Sequence, residues 1–149
     1  MITKELELHN DINEVPFLGD WIEQVCGELL LPMPETFKLN LALEEAVVNV
    51  MNYAYPGKTG ERLWLTAEAD NAPATTITFT LKDHGVPFDP TVATDPDISL
   101  DAEDRPIGGL GIFLIRQTMD SVEYARTEDT NVLVMKYNVG QADNAEALL

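Results

Sequence analysis

Two pairs of alternating segments, each joined by only a few turn-forming residues, constrain the fold of this chain more than any other feature. Arg62 to Ala69 sets Leu63, Leu65 and Ala67 on one side and Trp64, Thr66 and Glu68 on the other. Thr75 to Lys82 sets Ile77, Phe79 and Leu81 against threonines, and Asn71 to Ala74 reads as a hairpin loop between the two. Ser121 to Thr127 and Asn131 to Val139 read as a second pair around the turn Glu128-Asp129-Thr130. Connections this short cannot carry the crossover that parallel strands need, so the sheet is expected to be mainly antiparallel. Thr3 to His9 adds a first strand, with Leu6 and Leu8 pointing one way and Glu5 and Glu7 the other.

Three amphipathic segments then need an apolar surface to cover. Val15 to Leu31 carries Leu18, Ile22, Val25 and Leu29 at helical spacing, and Pro32 and Pro34 punctuate its end. Pro34 also suits the first turn of the next helix, about Glu35 to Ala54. There Leu39, Leu43, Ala46, Val47, Val50 and Ala54 share one face, and Tyr55-Pro56-Gly57 ends the run. Gly108 to Asp120 reads as a third helix, with Leu110, Phe113, Leu114 and Met119 as its expected buried side. The expected fold is α+β: a two-layer sandwich whose antiparallel sheet is covered on one face by helices. A single domain is expected over 1–140, with a frayed tail over 141–149.

Composition narrows the setting. Nine basic residues stand against 26 acidic ones, a formal net charge of −17. Such a surface repels nucleic acid and anionic lipid, so neither is an expected partner. Cys26 is the single cysteine, which forms no intrachain disulfide and suits a reducing compartment. The amino terminus lacks the apolar core of a signal peptide, and no apolar run approaches a membrane span. A cytoplasmic location is expected.

Three clusters carry polar chemistry. Glu45, Asn49 and Asn52 lie at i, i+4 and i+7 on the second helix, on a face expected roughly opposite the apolar stripe. Taken alone this is equally a solvated helix side. An amide oxygen there can also coordinate Mg²⁺, and a carboxylate one turn away can accept a proton from a hydroxyl. Asp83-His84-Gly85 stands at a strand exit. The aspartate can accept a hydrogen bond from an exocyclic amine, and the glycine admits a flat ring or a positive φ, although a plain turn reads the same way. Gly108-Gly109-Leu110-Gly111 leads into the third helix, where bare N–H groups favour an anion.

In this order the clusters resemble the GHKL ATPase superfamily, over about residues 3 to 139. Glu45 to Asn49 looks like its N box, Asp83-His84-Gly85 its first glycine box and Gly108 to Gly111 its second. The resemblance implies the Bergerat-type, histidine-kinase-like ATPase fold. Glu45-Ala46-Val47-Val48-Asn49 is similar to the signature of the anti-sigma-factor serine/threonine kinases. Those kinases use ATP and Mg²⁺ to phosphorylate a serine on a STAS-domain anti-sigma-factor antagonist. Many also bind a sigma factor, and they often form homodimers. By this resemblance Asn49 is the Mg²⁺ ligand, Glu45 the base and Asp83 the adenine reader. Asn52, Gly85, Gly108, Gly109 and Gly111 complete the nucleotide pocket and lid.

The sequence departs from the pattern in two places. Ile107, not a basic residue, precedes Gly108, so Arg105 is the nearest cation for a terminal phosphate. Asp83 through Asp104 holds seven acids and no lysine or arginine. Two alternatives therefore stand beside the kinase: a nucleotide-gated binding switch without chemistry, and a detached histidine-kinase ATP-binding domain. The stretch from Asp89 to Pro106 is expected to be a lid whose order depends on nucleotide.

Overall fold

The computed structural model describes residues 1–92 and 109–139. Its regular elements are β1 (Ile2–His9), α1 (Val15–Glu28), α2 (Met33–Tyr53), β2 (Arg62–Ala69), β3 (Thr76–Asp83), α3 (Gly109–Thr118), β4 (Ser121–Thr127) and β5 (Thr130–Asn138). Short 3₁₀ turns occupy Ile12–Glu14 and Pro90–Val92. The strands form one sheet in the order β1-β2-β3-β5-β4, and every neighbouring pair is antiparallel. The two short-turn pairs are thus the hairpins β2–β3 and β4–β5, and β3 meets β5 in the middle.

Register aligns the apolar rows across the whole sheet. Leu6 faces Leu65, Leu65 faces Leu81, Leu81 faces Leu133 and Leu133 faces Tyr124. The helices cover this face. α2 packs against both α1 and α3 and lies between them. Its Leu39, Leu43 and Val47 are fully buried in the same cluster as Leu65, Phe79 and Leu81. Each such side chain contributes about 1.5–3 kcal/mol of burial free energy.

Local chemistry explains the helix limits. Leu30 adopts φ 59°, while its N–H bonds Gly27 O and the Leu31 N–H bonds Cys26 O. This is a Schellman stop with leucine where glycine is usual. Pro32 then caps α2 in an extended conformation, and Pro34 sits in its first turn as expected.

α3 corrects one expectation. Its buried residues are Ile112, Ile115 and Met119, with Phe113 half-buried and Leu114 exposed. From Ile112 to Ile115 every residue is apolar, so the sequence period cannot choose the phase; packing against α2 does. The Leu110 side chain and the predicted tail over 141–149 lie outside the described residues.

Candidate functional site

The inward row of β3 runs Ile77, Phe79, Leu81 and ends on Asp83; the inward row of β5 begins on Asn131 and continues Leu133, Met135, Tyr137. Register sets Asp83 directly opposite Asn131, so two polar side chains meet at one end of an apolar face. Both are buried. The Asn131 amide donates to Asp83 Oδ1 at 2.9 Å and to Val86 O at 2.8 Å. Its own Oδ1 accepts from the Phe88 N–H at 3.3 Å and from the Tyr124 hydroxyl. The Gly85 N–H also donates to Asp83 Oδ1, at 2.9 Å. Burial pushes the Asp83 carboxyl above its ordinary value; the bonds from Asn131 and Gly85 and the charges of Arg126 and His84 oppose that shift. Both hydrogen bonds fall on Oδ1, leaving Oδ2 with no partner among the described residues. Asn131 is not among the residues that the sequence motifs single out. Its one signal is that it is the polar residue on the inward side of β5.

The loop after β3 is tied to the end of α2. The Val86 N–H bonds Ala54 O at 2.7 Å, and the Arg126 guanidinium donates to Gly85 O at 2.7 Å. The Tyr55 hydroxyl accepts from the His84 N–H at 2.8 Å and donates to Arg62 O at 2.6 Å. Gly85 has a different reason from the one expected. Its φ is not in the left-handed region, and what it admits is the end of a helix: a Cβ there would lie 2.1 Å from Ala54 O.

Asn49 lines the same cleft as Asp83 and Asn131, with Ala46, Val50 and Leu133 among its apolar walls. Its side chain is buried, not on a solvated face opposite the apolar stripe. The reason is that it faces the end of the sheet and the segment after β3, where Leu81, Phe88 and Pro90 line the same cleft. Glu45 is half-buried one turn earlier and Asn52 is exposed one turn later. No hydrogen bond ties the Asn49 amide to another described residue. Gly109 opens α3 and Gly111 lies in its first turn, and α3 as a whole packs against α2. Gly108, Arg105 and most of the predicted lid lie outside the described residues. At the lid's near end, Asp89 Oδ1 accepts from the Thr91 N–H at 2.8 Å, and Arg116 of α3 donates to Thr91 O.

The family described as histidine kinase-like ATPase domain matches residues 8–137. The chain belongs to that family. Among similar proteins, a serine/threonine-protein kinase BtrW of Bordetella bronchiseptica is 25% identical over 115 residues, 77% of this chain and 79% of the relative. A serine-protein kinase RsbW of Bacillus cereus is 30% identical over 103 residues, 66% of this chain. That alignment spans 62% of the Bacillus protein's own length. Among solved structures, the RsbU and RsbW domains of a Mycobacterium tuberculosis protein superpose with TM-score 0.64 at 9% identity, over 93% of this chain and 33% of that one. A histidine kinase domain from Erythrobacter litoralis gives TM-score 0.56 at 11% identity, over 91% and 64%. Both share the fold.

The donor set fits the ligand of such a domain. An apolar-walled cleft with one carboxylate oxygen that no described residue engages suits a flat ring bearing an exocyclic amine. An amide oxygen that no described residue engages suits a hard cation that keeps waters and phosphates in its shell. Among the described residues no helix is long and apolar enough to cross a membrane.

Proposed function

We propose that this chain is an ATP-dependent serine/threonine protein kinase of the anti-sigma-factor type, acting in the cytoplasm on a serine of a STAS-domain antagonist. A sigma factor is a second partner on this reading. The observation that carries it is the convergence of Asp83 and Asn49 on one cleft, one from the sheet and one from α2. The kinase names of the similar proteins support the activity.

Asp83 reads the adenine amine through Oδ2, because Asn131 and Gly85 hold Oδ1. Asn49, with Mg²⁺ bound to the nucleotide, fixes the phosphates, and the metal supplies charge neutralisation. The amide groups at the start of α3 hold the phosphate tail. Glu45, one turn before Asn49, takes the proton of the acceptor hydroxyl. The new bond joins that oxygen to the terminal phosphorus, the bridging P–O bond breaks, and ADP leaves.

Two measurements test this. Millimolar ATP and Mg²⁺ should raise the melting temperature, since ligand bound only to the native state adds about 2.7 kcal/mol at a hundredfold excess over Kd; an unchanged melt sinks the reading. Transfer to a STAS-domain acceptor should give acid-stable phosphate. Glu45→Gln should slow that transfer about 10²-fold or more while nucleotide still binds. Acid-labile phosphate would instead identify a histidine acceptor.

A further inference from the structure

A protein acceptor has to approach Glu45 from outside, and the surface leading there has a distinct chemistry. Met33, Phe37, Leu41, Glu45 and Asn49 each follow the last by four residues on α2. They form one i±4 ridge that winds about 40° per step around the helix. Exposure falls steadily along it, from Met33 at 77% through Phe37 at 65% and Leu41 at 44% to half-buried Glu45 and Asn49 at 4%. The ridge therefore descends from open solvent into the cleft. Its upper part places three large apolar side chains in water, on a helix whose opposite face already serves the core. Contiguous apolar surface of this kind marks a contact site.

The net charge of α1 and α2 and of the whole chain says what kind of partner fits. Glu28 is paired with Lys4 and Glu35 is buried. The remaining charges of α1 and α2 are Asp20, Glu23, Glu44 and Glu45 against Lys38 alone. The whole chain carries −17. A second copy would bring the same sign to this surface. A partner with lysine or arginine beside an apolar row is attracted to it and placed in register by it.

Resting on the kinase reading of Glu45 and Asn49, we propose that the Met33–Phe37–Leu41 ridge is the docking track of the acceptor protein, which lays a basic amphipathic helix along α2 and so brings its hydroxyl to Glu45. The recognition mode is an apolar helix face seated on a helix ridge, with charge at the rim.

The test uses the whole chain and three labelled helical peptides: one with leucines four residues apart and lysine flanks, one with the lysines changed to glutamate, and one with the leucines changed to serine. Fluorescence anisotropy should show binding of the first peptide and at least roughly tenfold weaker binding of the other two. Phe37→Ser and Leu41→Ser should each weaken the first peptide about tenfold, and Phe37→Ser should leave melting unchanged because that side chain is mostly in solvent. Equal binding by the parent and the Phe37→Ser/Leu41→Ser chain overturns the proposal, as does equal binding of the leucine and serine peptides. Self-association in sedimentation that Phe37→Ser abolishes would make the ridge an interface between copies, and also overturns it. The kinase reading fails separately: a parent chain whose melt ignores ATP and Mg²⁺ loses that reading whatever the peptides do. Peptide failure in a chain that ATP stabilises removes only the docking track.

Discussion

On the sheet side of the cleft, Asp83 is held by the Asn131 amide and the Gly85 N–H, and Asn131 is itself engaged on both its oxygen and its nitrogen. On the helix side, Asn49 is equally buried, yet no hydrogen bond ties its side-chain amide to another described residue. On the proposed reading, in which Asp83 meets the base and Asn49 the metal, the two sides meet different demands. Reading the edge of a rigid base needs an acceptor fixed before the ligand arrives, and a bonded network supplies that at no cost on binding. Holding a cation whose shell is mostly phosphate and water needs an oxygen the protein has not already used. On that reading one wall is preorganised, and the other keeps an amide that no described side chain engages.

Substitutions should separate the walls, beginning with the strongest. Gly85→Ala puts a methyl 2.1 Å from the Ala54 carbonyl oxygen, and the obstacle is backbone, so the β3 loop must leave the end of α2. The Val86 to Ala54 hydrogen bond goes with it. The expected loss is about 3 kcal/mol or more, read from urea unfolding with an unchanged slope. Asn131→Ala comes next, at about 2–3 kcal/mol, because it strips partners from Val86 O, the Phe88 N–H and the buried Asp83 carboxylate together. A loss under about 0.5 kcal/mol in either case would mean that the sheet wall is not a fixed network.

The same contrast explains what is legible in the chain alone. The hairpins and the apolar face of α2 follow from local period and turn chemistry, and they survive in the structure because packing agrees with them. Asp83 and Asn49 are legible as residues but not as neighbours in a cleft, since α2 and β3 meet only after the sheet forms. Asn131 is silent in the sequence because its role depends on register: it matters as the partner across from Asp83, which no local signal prints. Gly85 is legible as a constrained position but not for its true obstacle, because the end of α2 lies far away in sequence. The α3 phase is unreadable where every residue from Ile112 to Ile115 is apolar. In each case the missing information is a long-range contact.

A smaller effect has an informative sign. The Asp83 carboxyl is raised in the fold by burial. Between the unfolded carboxyl value and that raised value, the folded state keeps a proton that the unfolded state has released. Stability therefore falls as pH rises through this window, and the penalty is complete above it. Asp83→Asn has no such charge, and its Oδ1 can still accept from Asn131 and Gly85. Unfolding measured across acid and neutral pH should show the slope in this window reduced, with neutral-pH stability equal to the parent's or higher by up to about 1 kcal/mol. ATP should bind at least tenfold more weakly, because an amide N–H replaces the acceptor offered to the base. Tight ATP binding by Asp83→Asn would remove Asp83 from the adenine contact.

Asn49→Ala is expected to have the smallest effect on the free protein and the most selective effect on the bound one. Asn49 and Asn131 are the same residue type, both buried in one cleft, so composition and burial predict equal losses. Their bonding predicts otherwise. Removing the Asn49 amide leaves no described donor or acceptor unpaired, and the methyl that remains keeps its place among Ala46 and Val50. Stability should shift by less than about 1 kcal/mol, set against the larger loss for Asn131→Ala. Nucleotide binding should divide along the same line. With Mg²⁺ present, the variant's affinity should fall to roughly what the parent shows with a chelator, while metal-free affinity stays near the parent's because Asp83 and the apolar walls are intact. Calorimetric titration with ADP, with and without Mg²⁺, reads both numbers from the same two proteins. Loss of metal-free binding too, or destabilisation equal to that of Asn131→Ala, would show that the helix wall is bonded into the fold no less than the sheet wall and that the division of labour across the cleft is not real.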